Sequence, residues 1–587
     1  MKGFLKQVLA GLVALSLFFF LGLLFLGMLL GTQEMGPPLE KKTLLTLDLS
    51  VPIADRPPVE RFADLFDDAL QGRARGTHTL REVVAAIDEA AGDDRISGLF
   101  LKGNVARDGY RSGWAALREV RQAIERFRKS GKPVVTWQEN LDEATLYVVS
   151  PADRIVLHPL GLVEFNGLAA EVLYFHDAFE KYGIGVQAVR AGRYKSAVEP
   201  FLASRMSEEN REQLAALLDD FSAEMTGAIA ASRGIGKRRL QAVSRGEGVL
   251  PAPEAERLGV VTAVAHYDEV LTYLKELTGT EAGEPIERQI DVGGYFATLE
   301  EKGAKGKVAV IYAEGTILSG DDELEVGADR LARLLRKARE DETVKAVVLR
   351  INSPGGSASA ADVIGREVEL LREKKPLVAS MGTVAASGGY WIAASADEIW
   401  VEPNSLTGSI GVFGLFFNVQ RLAEEHGLNR EVVRTSRRAD FYSLFRPKTA
   451  EELATVRRIV DTIYDAFIGW VARGRGLEPA RVKALAQGRI WSGKRALELG
   501  LADRAGGLRE AIAAAAERAG LEEYSVQEYQ RAESWADLLL RELGLAPEEG
   551  DAREPGMESL WTALRQIRRF ADPRGVHARL PFDLTIH

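Results

Sequence analysis

The stretch ADRIVLHPLGLVEFNGLA, beginning at Ala152, returns as ADEIWVEPNSLTGSIGVFG, beginning at Ala396. The surrounding blocks return in the same order. KVAVIYAEGTI (307–317) echoes LLTLDLSVPI (44–53), KKPLVASMG echoes GKPVVTWQE, and GLNREVVRTSRRADFYSLF echoes GIGVQAVRAGRYKSAVEPF. The later blocks keep an offset of roughly 243–248 residues, far beyond the period of a solenoid, so the chain is a tandem duplication of whole domains. Within each copy, strand and helix signals alternate. ISGLFLKGN reads as a buried strand, GWAALREVRQAIERFRKSG as a helix and KPVVTWQEN as another strand. That alternation predicts a layered α/β domain with a mainly parallel sheet. THTLREVVAAIDEAAGD opens on a capping Thr, and each copy runs on into a helix with Ser207 or Thr449 ahead of acidic residues.

The N-terminus adds a second constraint. Lys2 and Lys6 lead into an apolar run over residues 8–30 that carries no charge. A run of about 20 such residues crosses a bilayer core. A cleaved signal peptide has a shorter core of about 7–15 residues and a small-residue cleavage site, which Gly31-Thr32-Gln33 does not supply. The expectation is a signal anchor with its lysines in the cytoplasm and the remaining chain exported. The chain then divides into a cytoplasmic N-terminus (1–7), the anchor (8–31), a Pro-containing linker (32–43), a first α/β repeat (44–305), a second (306–530) and a tail (531–587). From about Arg531 the tail reads as helical and then Pro/Arg-rich, loosely held.

Composition excludes several classes. A net charge of −10 over 587 residues argues against nucleic acid as a partner, because phosphate binding needs clustered Lys and Arg. There is no Cys, hence no disulfide, no Cys nucleophile and no Cys-ligated metal. The seven His residues form no HExxH or HxH pair, so neither a metal nor another cofactor is expected.

The copies differ where chemistry could sit. After the strand VVLRIN the second copy has Ser353-Pro354-Gly355-Gly356, where the first has Val105-Ala106-Arg107-Asp108. Paired glycines let backbone N–H groups approach a ligand closely, as an oxyanion hole requires, although the same pair also makes a plain tight turn. The second copy carries Ser409 between glycines in Thr407-Gly408-Ser409-Ile410-Gly411, and the first has Phe165 at that place. Conversely, Lys195 in Gly192-Arg193-Tyr194-Lys195-Ser196 stands opposite Ala439. A lone Lys is usually a surface charge and a loop Ser usually a turn residue. A hydroxyl in one copy and an amine in the other is what a site shared between two repeats would look like. A Ser hydroxyl needs a base to take its proton, and a Lys serves once burial lowers its pKa.

Together the anchor, the duplication, SPGG, AASGGYWIA, LTGSIGVFG and AGRYKSAVEPF resemble signal peptide peptidase A of the long type, also called protease IV, within the Clp/crotonase-like superfamily. The resemblance reaches from the anchor to about residue 530. It implies Ser409 as nucleophile, Lys195 as general base, and an oxyanion hole from the SPGG backbone and the amide beside the nucleophile, mapped to Gly355, Gly356 and Ile410. It further implies a homotetramer in the bacterial inner membrane, with the catalytic domain in the periplasm and apolar signal-peptide remnants as substrates. Ser387, in Ala385-Ala386-Ser387-Gly388-Gly389, is a rival nucleophile by analogy with Clp proteases, but no suitably placed His follows it. The expectation there is a helix N-terminus lining the site. Two other functions compete: a crotonase-like acyl-transfer enzyme, and a non-catalytic membrane-tethered scaffold.

Overall fold

The computed structural model describes residues 39–57, 76–107, 111–299, 306–530 and 576–579. The expected anchor and nearly all of the tail lie outside these residues. Among the described residues no helix is long and apolar enough to cross a membrane.

Each copy builds one main sheet, and the two share a strand order over six strands. In the first it runs Ala263–Val264, Arg154–Leu157, Val134–Gln138, Ile96–Lys102, Thr43–Asp48, Gln289–Asp291, with every pairing parallel. In the second the matching six run Arg504–Ala505, Glu398–Val401, Leu377–Ala386, Val344–Ser353, Lys307–Glu314, Ser525–Glu528, again all parallel, and two further strands extend this sheet, Leu406–Gly408 parallel to Leu377–Ala386 and Ile490–Ser492 antiparallel to Leu406–Gly408. Parallel strands covered on both faces read as continuous apolar runs, as AVIYA and AVVLRI do here. Alternate residues face opposite layers. Leu45, Leu47, Leu99 and Leu101 join the core formed with the helices Leu80–Gly92 and Trp114–Lys129, while Leu44, Phe100 and Val135 pack with the helix Tyr267–Thr278. In the second copy the helices Ala328–Glu340 and Ala358–Arg372 cover one face and Leu508–Arg518 the other. The expected caps are present: Ser207 Oγ accepts from Asn210 N, and Thr449 forms a capping box with Glu452.

The copies interlock rather than merely touch. Val384, Ala386, Leu406 and Ile490 of the second copy belong to the core of the first, and Val189 and Ala191 of the first belong to the core of the second. Arg350, fully buried on a strand of the second copy, donates to Asp55 Oδ1 at 2.7 Å and Glu119 Oε1 at 2.8 Å of the first. A third sheet crosses the junction in the order Val326–Gly327, Ile317–Leu318, Gly355–Ser357, Val576–Arg579, Val412–Asn418, Gly185–Ala191. Its last pair is antiparallel between copies, from Val412 opposite Ala191 to Asn418 opposite Gly185. The segments equivalent to these two strands, 168–174 and 429–435, form no strand, and Leu173 and Val433 are exposed. The sequence echo is therefore not matched by local structure there, because each segment lacks the cross-copy partner that its twin has. Of the tail, residues 576–579 lie among the described ones, and Val576–Arg579 is a strand inside the third sheet.

Candidate active site

The cross-copy ladder determines what meets at its end. Ser409 lies three residues before Val412 and Lys195 four residues after Ala191, and those two residues face each other in the register. Both loops therefore leave the sheet at the same end of this strand pair. The Lys195 Nζ is 3.0 Å from Ser409 Oγ, 2.9 Å from Ser409 O and 2.8 Å from Ser387 Oγ. All three residues are fully buried. Burial pushes the Lys195 amine well below its usual value, and no charged group among the described residues acts on it.

The hydrogen-bond count of a neutral amine is informative. It has two N–H donors and one lone pair. Ser409 O, a carbonyl, can only accept, so it takes one N–H. If Ser387 Oγ accepts the other, the lone pair is left for the Ser409 hydroxyl to donate into. That arrangement accepts a proton from Ser409 without rearrangement.

The backbone is unusual at both serines. Ser409 has φ 50° and Ser387 φ 57°, in the left-handed region that non-glycine residues enter at a cost of about 1–3 kcal/mol. Backbone bonds fix both turns: Ser387 N donates to Gly408 O at 2.8 Å, beside Ser409, and Ser409 N donates to Arg489 O at 2.7 Å. Phe165, buried where the first copy has no hydroxyl, makes the equivalent bond to Gly248 O at 2.7 Å. Lys195 is braced from below by the helix Glu208–Arg233. Gln213 Nε2 donates to Tyr194 O at 3.3 Å and Ser196 Oγ at 3.0 Å, while its Oε1 accepts from Ile490 N at 3.1 Å in the other copy. Sequence reasoning missed Gln213, since a polar residue on an amphipathic helix carries no mark of facing inward.

The candidate oxyanion segment is the strand Gly355–Ser357. A Cβ on Gly356 would lie 2.0 Å from Ile317 O, so glycine is needed for the neighbouring strand to approach. The Gly355 N–H donates to Ser353 Oγ at 3.2 Å and is therefore engaged. Ile410 is buried beside Ser409. Ser387 caps the short helix Gly388–Ala393, as expected of a helix start at the site, but with its hydroxyl on the lysine. Among the described residues no group of three or more His, Cys, Asp or Glu could hold a metal ion.

The description of peptidase family S49 matches this sequence twice, over residues 126–281 and 369–522. The chain belongs to peptidase family S49. The two matches fall one in each copy. "Protease 4" of Haemophilus influenzae is 35% identical over 465 residues, covering 76% of this chain and 75% of its own. "Serine protease SPPA, chloroplastic" of Arabidopsis thaliana is 33% identical over 77% of this chain and 68% of its own. Family and relatives agree on a serine peptidase, so this S49 chain is an enzyme that hydrolyses peptide bonds. Among solved structures, a ClpP1 mutant from Listeria monocytogenes aligns with 35% of this chain and 94% of its own, at 14% identity and a TM-score of 0.24, which leaves the fold to be argued from the strand order above.

Proposed function

We propose that this S49 peptidase is a membrane-anchored endopeptidase acting through a Ser409–Lys195 dyad on apolar signal-peptide remnants. One observation carries the dyad: a fully buried amine 3.0 Å from Ser409 Oγ, with no charge among the described residues to keep it protonated. Lys195 Nζ takes the hydroxyl proton as Oγ attacks the scissile carbonyl. The ammonium then gives that proton to the leaving amine, and water, activated by the same amine, releases the acyl group. Backbone N–H groups near Gly356 and at Ile410 are the candidate donors to the oxyanion; each such donor contributes about 3–4 kcal/mol in well-studied enzymes.

The anchor reading rests on the uncharged run 8–30, which would hold the site near the bilayer where signal-peptide remnants lie. Support for a homotetramer comes from the strandless segments 168–174 and 429–435. Pairing 168–174 of one protomer with 429–435 of the next would repeat the internal ladder head to tail, a kind of contact that gives a ring when its rotation closes.

A second reading, with Ser387 as nucleophile, is favoured by its contact with the same amine and its strained turn. Turnover of a short apolar peptide ester by the detergent-solubilised chain separates the two. Ser409→Ala is expected to abolish acyl-enzyme formation, and Lys195→Ala to lower kcat by about 10²–10⁴-fold. If both variants keep wild-type turnover, the dyad reading fails. If mass spectrometry finds the acyl group on Ser387, the second reading replaces it.

A further inference from the structure

Inside the chain, a helix of the first copy meets a turn of the second. Arg118 and Glu119 stand on the helix Trp114–Lys129, and Glu402 and Asn404 lie in the turn that leads into Leu406–Gly408. Arg118 pairs with Glu402, and Asn404 Nδ2 donates to Trp114 O at 2.9 Å. Glu119 accepts from Leu508 N, at the start of the helix Leu508–Arg518, at 2.7 Å. Each of these residues has a twin that the internal junction leaves out. The helix Ala358–Arg372 matches Trp114–Lys129 from its first residue, so Asp362 and Val363 take the places of Arg118 and Glu119. A shared ion pair fixes that match: Arg128 with Asp153 at 2.7 Å in one copy, Arg372 with Asp397 at 2.9 Å in the other. The turns match as well, since Gly161 N donates to His158 O at 2.8 Å and Ser405 N to Glu402 O at 2.9 Å. His158 and Leu160 therefore take the places of Glu402 and Asn404. Tyr267 opens the helix Tyr267–Thr278 as Leu508 opens its own.

The twins are exposed where the originals are buried. Asn404, Glu119 and Leu508 are buried, but Leu160 is 86% exposed, Val363 46% and Tyr267 44%. Polarity is reversed too. Inside, the helix carries the cation and the turn the carboxylate. Outside, the helix carries the carboxylate Asp362 and the turn carries His158. The His158 Nδ1 accepts from Leu160 N at 3.2 Å, which leaves Nε2 as the N–H donor. Among the described residues Asp362 has no cationic partner.

We propose that the helix face at Asp362 and Val363 docks the turn at His158 and Leu160 of a second copy of this chain, and that the reversed polarity allows only this pairing. The proposal rests on the homotetramer reading above and deepens it, because it names the side chains that join protomers and what rejects a wrong joint. His158 Nε2 donates to Asp362 where Arg118 donates to Glu402, and Val363 lies by Tyr267 where Glu119 meets Leu508. A first-copy turn on a first-copy helix would set His158 against Arg118, donor against donor. A second-copy turn on a second-copy helix would set Glu402 against Asp362, two carboxylates. Like against like is penalised, so first and second copies must alternate around the assembly.

Sedimentation velocity of the full chain in detergent tests the contact. Asp362→Arg sets a cation against the His158 donor, and His158→Glu sets a carboxylate against Asp362. Each is expected to raise the concentration at which the assembly dissociates by about tenfold or more. Combined, the two changes place outside the pair that already exists inside, and assembly is expected to return to the wild-type level. Assembly indifferent to both single changes overturns the contact and leaves the homotetramer reading standing, as do single changes that weaken assembly without rescuing each other. A wild-type chain that stays monomeric overturns the homotetramer reading and this inference with it. A second arm does not depend on affinity. The chain has no Cys, so Asp362→Cys and His158→Cys each carry one thiol. A short bismaleimide is expected to join chains only when the two variants are mixed. Equal cross-linking within either variant alone overturns the alternation.

Discussion

Lys195 is a buried amine whose three polar neighbours are two serine hydroxyls and a carbonyl, none of them charged. Two consequences follow at the residue scale. Ser387→Ala removes one acceptor, so the amine loses part of its orientation and its ammonium loses a stabilising contact. We expect kcat to fall about tenfold and the acid limb of the pH–rate profile to move to lower pH, a displacement that a merely structural role would not produce. The second concerns stability. Burial depresses the folded-state pKa of Lys195 below 10.5, the value it regains on unfolding. Between those two values the unfolded chain holds the extra proton, so stability rises with pH across that window, and below it the cost of the buried amine is complete. Lys195→Met should therefore melt higher than wild type at neutral pH, with the difference shrinking as pH approaches 10.5. Calorimetry across that range checks the sign.

At the scale of elements, the site is positioned by the cross-copy strand pair and by turns, with the helix Glu208–Arg233 bracing the lysine loop through Gln213. The turn before the strand Ile490–Ser492 presses against the lysine. Gly488 has φ 73°, and a Cβ there would stand 2.5 Å from Lys195 Cβ. Gly488→Ala is expected to displace the amine and cost about 10²-fold in kcat/KM, since an ångström of misplacement has that effect, while far-UV circular dichroism stays unchanged. The helix boundaries were legible because caps are local: Thr79, Ser207 and Thr449 each bond a backbone N–H three residues on. The strand Gly185–Ala191 was legible only as an echo of 429–435. Nothing local distinguishes the copy that finds a partner from the one that does not.

For the whole molecule, catalysis by a shared site requires the copies to stay docked. The buried Arg350 with Asp55 and Glu119 spans that junction, as does the pair of Arg118 with the fully buried Glu402. Such clusters add little net stability when intact, but removing one partner strands a buried charge. Arg350→Met is expected to cost about 3–5 kcal/mol, read by urea unfolding, and to lower activity in step with loss of the folded fraction. The interlocked cores, each holding side chains of the other copy, give the same expectation for separated halves: neither should turn over the peptide ester alone.

By itself the sequence determined the duplication, the parallel α/β layers, the family resemblance and the pairing of an unmatched hydroxyl with an unmatched amine. These are legible because periodicity, caps and repeat differences are properties of short stretches or of their comparison. Tertiary structure alone decided that Lys195 and Ser409 meet, that Ser387 shares the amine rather than standing apart, that Gln213 ties the Lys195 loop to Ile490, and that four residues of the tail enter the third sheet. Each of those depends on the register between strands far apart in the chain. Register follows from which apolar faces are buried together, and a linear pattern does not specify which of two equivalent edges a strand will choose.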